Sequence, residues 1–137
     1  MISFHSESSF ELTNSAAVVA WLGSIMSQEH YTEGEVSVVF CDDDFLHKLN
    51  VEFLNHDTLT DVISFDYSVG KEINGEIFIS VDRVRENAKE FNQSFDAELA
   101  RVMAHGVLHC CGYKDKSKAE ATTMRLKEEF YLQQRPD

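Results

Sequence analysis

The only proline in the chain is Pro136, and no repeat, low-complexity tract or Pro/Gly-rich linker interrupts the residues before it. Proline and glycine clusters are the strongest punctuation a sequence carries, so this pattern predicts one unbroken domain over residues 1–137. A chain of 137 residues suits that reading, being long enough to bury one core and too short for two.

Periodicity divides the chain into strands first and helices later. Ile2 to about Phe10 alternates weakly, as an edge strand would, and Thr13 or Asn14 can then cap an amphipathic helix carrying Ala17, Val18, Trp21, Leu22 and Ile25. Glu35–Cys41 is a β-branched and aromatic run, followed by Asp42 as the cap of a helix with Phe45, Leu46, Leu49 and Phe53 on its apolar face. Turn chemistry over Asn55–Thr60 leads to an alternating strand, Asp61–Tyr67. The Asn74–Gly75 pair is a hairpin signal. It predicts that this strand joins Glu76–Val81, directly or through a longer loop, and pairs with it antiparallel at the centre of a mixed sheet. Asp82 is placed to cap a helix to about Phe91. A further helix is expected over Phe95–Cys111, and Ser117 with Glu120 opens a last one, to about Gln133, with a capping box. Three to four strands and their covering helices predict an α+β fold, one mixed sheet under a helical layer.

Composition narrows the function. With 43% hydrophobic and 26% charged residues, and no apolar run near the roughly 20 residues of a membrane span, the chain is expected to be soluble and not a membrane partner. The N-terminus lacks a basic start, an apolar stretch and a small-residue cleavage site, which points to the cytoplasm. Cys41, Cys110 and Cys111 are odd in number and two are adjacent, poor geometry for a structural disulfide, so free thiols are expected. A net charge of −12 argues against nonspecific coating of nucleic acid, DNA included. The charge is uneven, however. Residues 1–100 hold nineteen of the 24 acids and five of the 12 bases. Lys114, Lys116 and Lys118 cluster late, either as a solvated turn or as a local phosphate contact.

The stretch that carries chemistry is His105-Gly-Val-Leu-His109-Cys-Cys-Gly112-Tyr-Lys-Asp115. Helical residues four apart lie about 40° around the axis from each other, so both imidazoles leave one face, one turn apart. Cys110 and Cys111 are offset from His109 by about 100° and 200° and read as small core residues. Gly112 suits the position just past a helix end, where the chain reverses and brings Asp115 back toward the histidines. Two histidines four apart also occur by chance as core or surface residues. The glycine turn and the acid after it weigh toward a metal site on His105, His109 and Asp115, zinc first among the divalent transition metals, with a coordination place left for water. Such a site supports hydrolysis. Gly106 stands where a zinc protease of the H-E-x-x-H type has its glutamate base, which argues against peptidase chemistry.

In this stretch the chain resembles the YbeY endoribonucleases, or rRNA maturation factors, whose signature is close to H-G-x-L-H-x-x-G-Y-D-H. Here it reads H-G-V-L-H-C-C-G-Y-K-D. A second family block, near L-N-x-x-Y-R-x-x-D-x-P-T-D-V-L-S-F, matches Leu49-Asn50 through Asp57 and Thr60 to Phe65. A third, G-D-I, matches Gly75-Glu76-Ile77. The resemblance implies a zincin-like α+β fold and a zinc-dependent, single-strand-specific endoribonuclease. It further implies rRNA processing, notably maturation of the 16S rRNA 3′ end, and ribosome quality control, with the ribosome or its assembly proteins as partners.

Two departures qualify the transfer. Asp115 stands where the family has its third metal histidine, which lowers the site's charge and its Lewis acidity. Leu54 follows Phe53 where the family has an arginine, so the cation for a scissile phosphate is missing there, with Arg101, Lys114 and Lys116 as the candidate substitutes. Asp61 either lines the cleft as a catalytic group or braces the turn before its strand; Ser64 either touches substrate or faces solvent. His56 and Asp57 are loop residues that either support the site from outside its ligands or, as base rates favour, play no part in it. A non-catalytic ribosome-assembly or RNA-chaperone factor with a structural metal, and a small-molecule metallohydrolase, are the alternative functions.

Overall fold

A computed structural model describes residues 1–55 and 60–136; His56 and Asp57 lie outside the described residues. The elements run β1 (Ile2–Ser6), α1 (Ser15–Gln28), β2 (Thr32–Cys41), α2 (Asp43–Leu54), β3 (Val62–Asp66), β4 (Glu72–Ser80), α3 (Val81–Glu90), α4 (Phe95–Cys110) and α5 (Lys118–Leu132). The α+β expectation holds: one four-stranded mixed sheet, ordered β1-β2-β4-β3, has its first two pairings parallel and β3 antiparallel to β4. Among the described residues no helix is long and apolar enough to cross a membrane.

Each face of the sheet buries its own cluster. Val36, Val38 and Phe40 of β2 and Ile73, Ile77 and Ile79 of β4 meet Leu22, Ile25 and Met26 of α1 and Leu99, Val102, Met103 and Val107 of α4 in the main core. The alternate strand residues Cys41, Ile63, Phe65 and Phe78 pack with Phe45, Leu46 and Leu49 of α2 in a smaller cluster on the other face. Period-two alternation thus commits Ser64 and Asp66, which alternate with Ile63 and Phe65, to the α4 side of β3.

The expected hairpin forms elsewhere. Asn74 and Gly75 lie inside β4, and the chain reverses through the two-residue loop Gly70–Lys71, closed by reciprocal bonds between Val69 and Glu72 of 3.2 and 3.1 Å. Gly70 has φ +59°, a conformation only glycine adopts freely. Asn74 serves another purpose: its Oδ1 accepts from Glu35 N at 2.8 Å beside the bulge in β2. A Cβ on Gly75 would sit 2.7 Å from Phe65 O. β4 is correspondingly longer, and β3, paired only with β4, lies at the sheet edge rather than at its centre.

Helix starts agree better. Asp42 accepts from Phe45 N, Ser94 from Ala97 N, and Ser117 with Glu120 forms a complete capping box. Asn14 takes the cap position of α1 without a side-chain bond. Asp82 is not the cap of α3; Ser80 is, and Asp82 Oδ2 instead accepts from Asp43 N at the start of α2. Continuation of β4 to Ser80 puts that hydroxyl, not the acid, at the first free amides.

Candidate metal centre

Helix α4 carries the site because both of its faces are committed. Its apolar side fills the core, and between the two histidines Gly106 rests on β4, where a Cβ would lie 2.7 Å from Ile77 Cγ2. His105 and His109 on either side of Gly106 line one cleft with Ile63, Ser64 and Asp66 of β3. After the helix, Gly112 adopts φ +96° and the chain turns back through Tyr113 to Asp115.

His105 and His109 meet edge to face, with their Nε2 atoms 2.9 Å apart. Asp115 Oδ2 lies 3.3 Å from the first and 3.5 Å from the second. Among the described residues this is a group whose ligand atoms all fall within 4.8 Å of one another. Each imidazole is held from behind. His109 Nδ1 is 2.9 Å from the carbonyl of Tyr113, which can only accept, and His105 Nδ1 is 2.6 Å from Glu128 Oε2. In the tautomer with both Nδ1–H groups donating, both Nε2 atoms carry bare lone pairs, and with the carboxylate they aim three acceptors at one point. That arrangement calls for a cation. Zinc bonded at 2.0–2.1 Å in a tetrahedron sets its ligand atoms roughly 3.3 Å apart, close to the spacing here.

Electrostatics supports the same assignment. Burial and the neighbouring His105 lower the His109 pKa, against the pull of Asp115 and the Tyr113 carbonyl, which favours the neutral form that can ligate. Burial acts to raise Glu128, but its hydrogen bonds and charge contacts to His105 and Arg101 outweigh this and keep it ionised. Cys110 and Cys111 are free and buried, and burial pushes their thiols up to about 12, consistent with core residues.

The site opens into a cleft of about 530 Å³ lined by both histidines, Asp115, Lys116, Asp61, Ser64, Asp66, Asn50 and Leu54 among others. Ser64 does not face solvent: its Oγ is buried in the cleft without a hydrogen-bond partner among the described residues. Asp61 both braces and lines. Its carbonyl accepts from Ser80 N at 2.9 Å, while Oδ2 lies 3.3 Å from Asn87 Nδ2 and 3.6 Å from Arg101 Nη2. Of the three cations expected near a phosphate, only Lys116 lines the cleft. Lys114 lies along a separate groove with Gly112, Thr123 and Glu120. Arg101 is turned inward, its guanidinium held by Glu98, Glu128 and Asp61.

Comparison with known proteins bears on what this site is. The family model for Endoribonuclease YbeY matches residues 2–135. The chain belongs to the YbeY endoribonuclease family. It is 60% identical over 129 residues to the Endoribonuclease YbeY of Flavobacterium johnsoniae, covering 94% of this chain and 93% of that one. With the Endoribonuclease YbeY of Flavobacterium psychrophilum it shares 55% over 132 residues, covering 96% and 94%. The solution structure of TM1509 from Thermotoga maritima superposes with a TM-score of 0.69 at 30% identity, over 97% of this chain and 87% of that one. The YbeY match extends through α5, so Glu128 falls within the length the family shares.

Sequence reasoning missed Glu128, and with it Glu98 and Asp66. In K-E-E the acid looks like surface charge. Its register offered a signal, since Glu128 is four residues after Met124 and three before Tyr131, on the buried stripe of α5.

Proposed function

We propose that this chain is a metal-dependent endoribonuclease that cuts single-stranded RNA, with His105, His109 and Asp115 holding one zinc ion. The observation that carries the reading is the convergence of three acceptor atoms, 2.9 to 3.5 Å apart, at the wall of an open cleft. Two nitrogens and one carboxylate oxygen suit zinc, and three protein ligands leave a place for water. The names of the relatives support RNA as the substrate class.

When bound, the ion supplies Lewis-acid polarisation of a phosphoryl oxygen and lowers the pKa of water. The protein's own groups do the rest. Glu128 and the Tyr113 carbonyl keep both Nε2 atoms unprotonated and aimed at the ion. Lys116 attracts the RNA backbone into a cleft that Asp61, Asp66 and Asp115 make otherwise acidic. Ser64 lines the same cleft, and its buried, unpartnered hydroxyl would reach a phosphate or ribose oxygen by turning outward when RNA binds. The substrate in this reading is ribosomal RNA near the 16S 3′ end, met on the ribosome or with its assembly proteins, in the cytoplasm.

The test is incubation of zinc-replete protein with single-stranded and duplex RNA beside the His109→Ala and Asp115→Ala variants. Expected is cleavage of the single strand alone, abolished in both variants. Cleavage that survives ligand loss overturns the catalytic metal. Zinc binding without any cleavage replaces the nuclease with an assembly factor, and turnover of a small ester or amide without RNA cleavage indicates a small-molecule hydrolase.

A further inference from the structure

The metal helix carries a third polar residue on the histidine stripe, Arg101, one turn before His105, with a side chain only 17% exposed. Its fork is fully engaged. Nε and Nη2 grip Glu98 at 3.0 and 2.5 Å, and Nη1 reaches Glu128 Oε1 at 3.2 Å. Glu128 is 2% exposed and uses both oxygens, Oε1 for Arg101 and Oε2 for His105 Nδ1 at 2.6 Å. The result is an ordered chain, Glu98 to Arg101 to Glu128 to His105, in which each planar group is held at two points. Rotation of Glu128 away from His105 would break its bond to Arg101 as well. With Asp61 at 3.6 Å, three acids surround one guanidinium, leaving net negative charge behind the His105 ring, which favours a cation on its far side.

We infer that Arg101 and Glu128 are positioning residues of the metal centre, Glu128 fixing the tautomer and plane of His105 and Arg101 fixing Glu128, and that Arg101 makes no contact with the RNA phosphate. The inference rests on the ligand reading given under Proposed function. It also reassigns the cation that the sequence offers in place of the missing family arginine.

Zinc affinity, measured by competition with a chromophoric chelator, tests it, together with the visible spectrum of the cobalt(II)-loaded protein and RNA affinity at several salt concentrations. Glu128→Gln keeps the size and removes the charge; it is expected to weaken zinc about tenfold or more and to shift the cobalt spectrum, with RNA affinity unchanged. Arg101→Met is expected to weaken zinc similarly. Because it leaves two buried acids without their cation, Arg101→Lys, which keeps a charge and loses the fork, reports the same effect at smaller size if the methionine variant does not fold.

Combining Glu128→Gln with Arg101→Lys should cost less than the two single losses added, since both act through His105. Folded variants that bind zinc as the wild type does overturn the inference while leaving the ligand set standing. A loss of RNA affinity and of its salt dependence at unchanged zinc affinity makes Arg101 a phosphate contact and overturns it too. Wild-type protein that binds no zinc removes the ligand reading and this inference together.

Discussion

The two histidines of the centre are chemically alike and one helical turn apart, yet they are held by opposite means. His109 is fixed by the backbone carbonyl of Tyr113, four residues on, within the turn its own helix makes at Gly112. His105 is fixed by a carboxylate 23 residues away, on a different helix, which is itself clamped by Arg101. Local support comes with the turn and survives most side-chain changes, because every residue carries a carbonyl. Tertiary support depends on one buried side chain and on the docking of α5. The difference predicts that the His105 side of the site is the more fragile.

The largest effect should come from removing either ligand. His105→Ala and His109→Ala are each expected to weaken zinc beyond the roughly 100-fold that an outer partner can account for, read by chelator competition. Unequal losses would show that one imidazole, not the pair, holds the ion.

Next in size is the anchor of the turn. Glu29 accepts from Tyr113 Oη at 2.7 Å, from Lys127 Nζ at 3.1 Å, and from the Tyr131 hydroxyl. Burial alone would raise its pKa, but these bonds from Tyr131, Tyr113 and Lys127 hold it below the ordinary 4.5. Its stabilising contribution is therefore fully present above pH 4.5 and lost as pH falls through the lowered value. Glu29→Gln should cost about 2 kcal/mol at neutral pH and flatten the acid limb of the stability curve, measured by denaturant unfolding from pH 3 to 7. An acid limb unchanged in the variant would remove Glu29 from this role.

Gly112→Ala, which places a Cβ in a left-handed conformation, is expected to lose about 1 kcal/mol and to weaken zinc through His109. Zinc affinity equal to the wild type would show that the turn tolerates distortion without moving the Tyr113 carbonyl.

Smallest is Tyr113→Phe. It removes the hydroxyl bond to Glu29 and leaves the carbonyl that holds His109, so the zinc affinity should fall by less than the tenfold expected of Glu128→Gln. Equal losses from the two substitutions would break the contrast between local and distant support.

The same contrast describes how far the sequence could be read. Patterns within about four residues were legible: the histidine pair, the turn at Gly112, the Asp42 cap, and the Ser117–Glu120 capping box all stand as their spacing implied. The Asn74–Gly75 pair misled because its local preference for a hairpin was overridden by the bulge in β2 and the close approach of Phe65 and Cys110, which need that asparagine and that glycine inside a strand. Asp82 misled for a related reason, since its carboxylate accepts from the amide of Asp43 at the start of α2, 39 residues earlier in the chain.

By itself, then, the sequence determined the fold class, the helix that bears the imidazoles and the three atoms able to meet at one ion, because helical period and turn chemistry act over a few bonds. Only the tertiary structure decided which charged residues face the cleft and which are buried behind it. Arg101 and Lys116 are both cations near the histidines in sequence, but one turns inward to Glu98 and Glu128 and the other lines the cleft. Glu98 lies one turn earlier on the same helix, but burial of the pair depends on Glu128, which only the docking of α5 brings within reach.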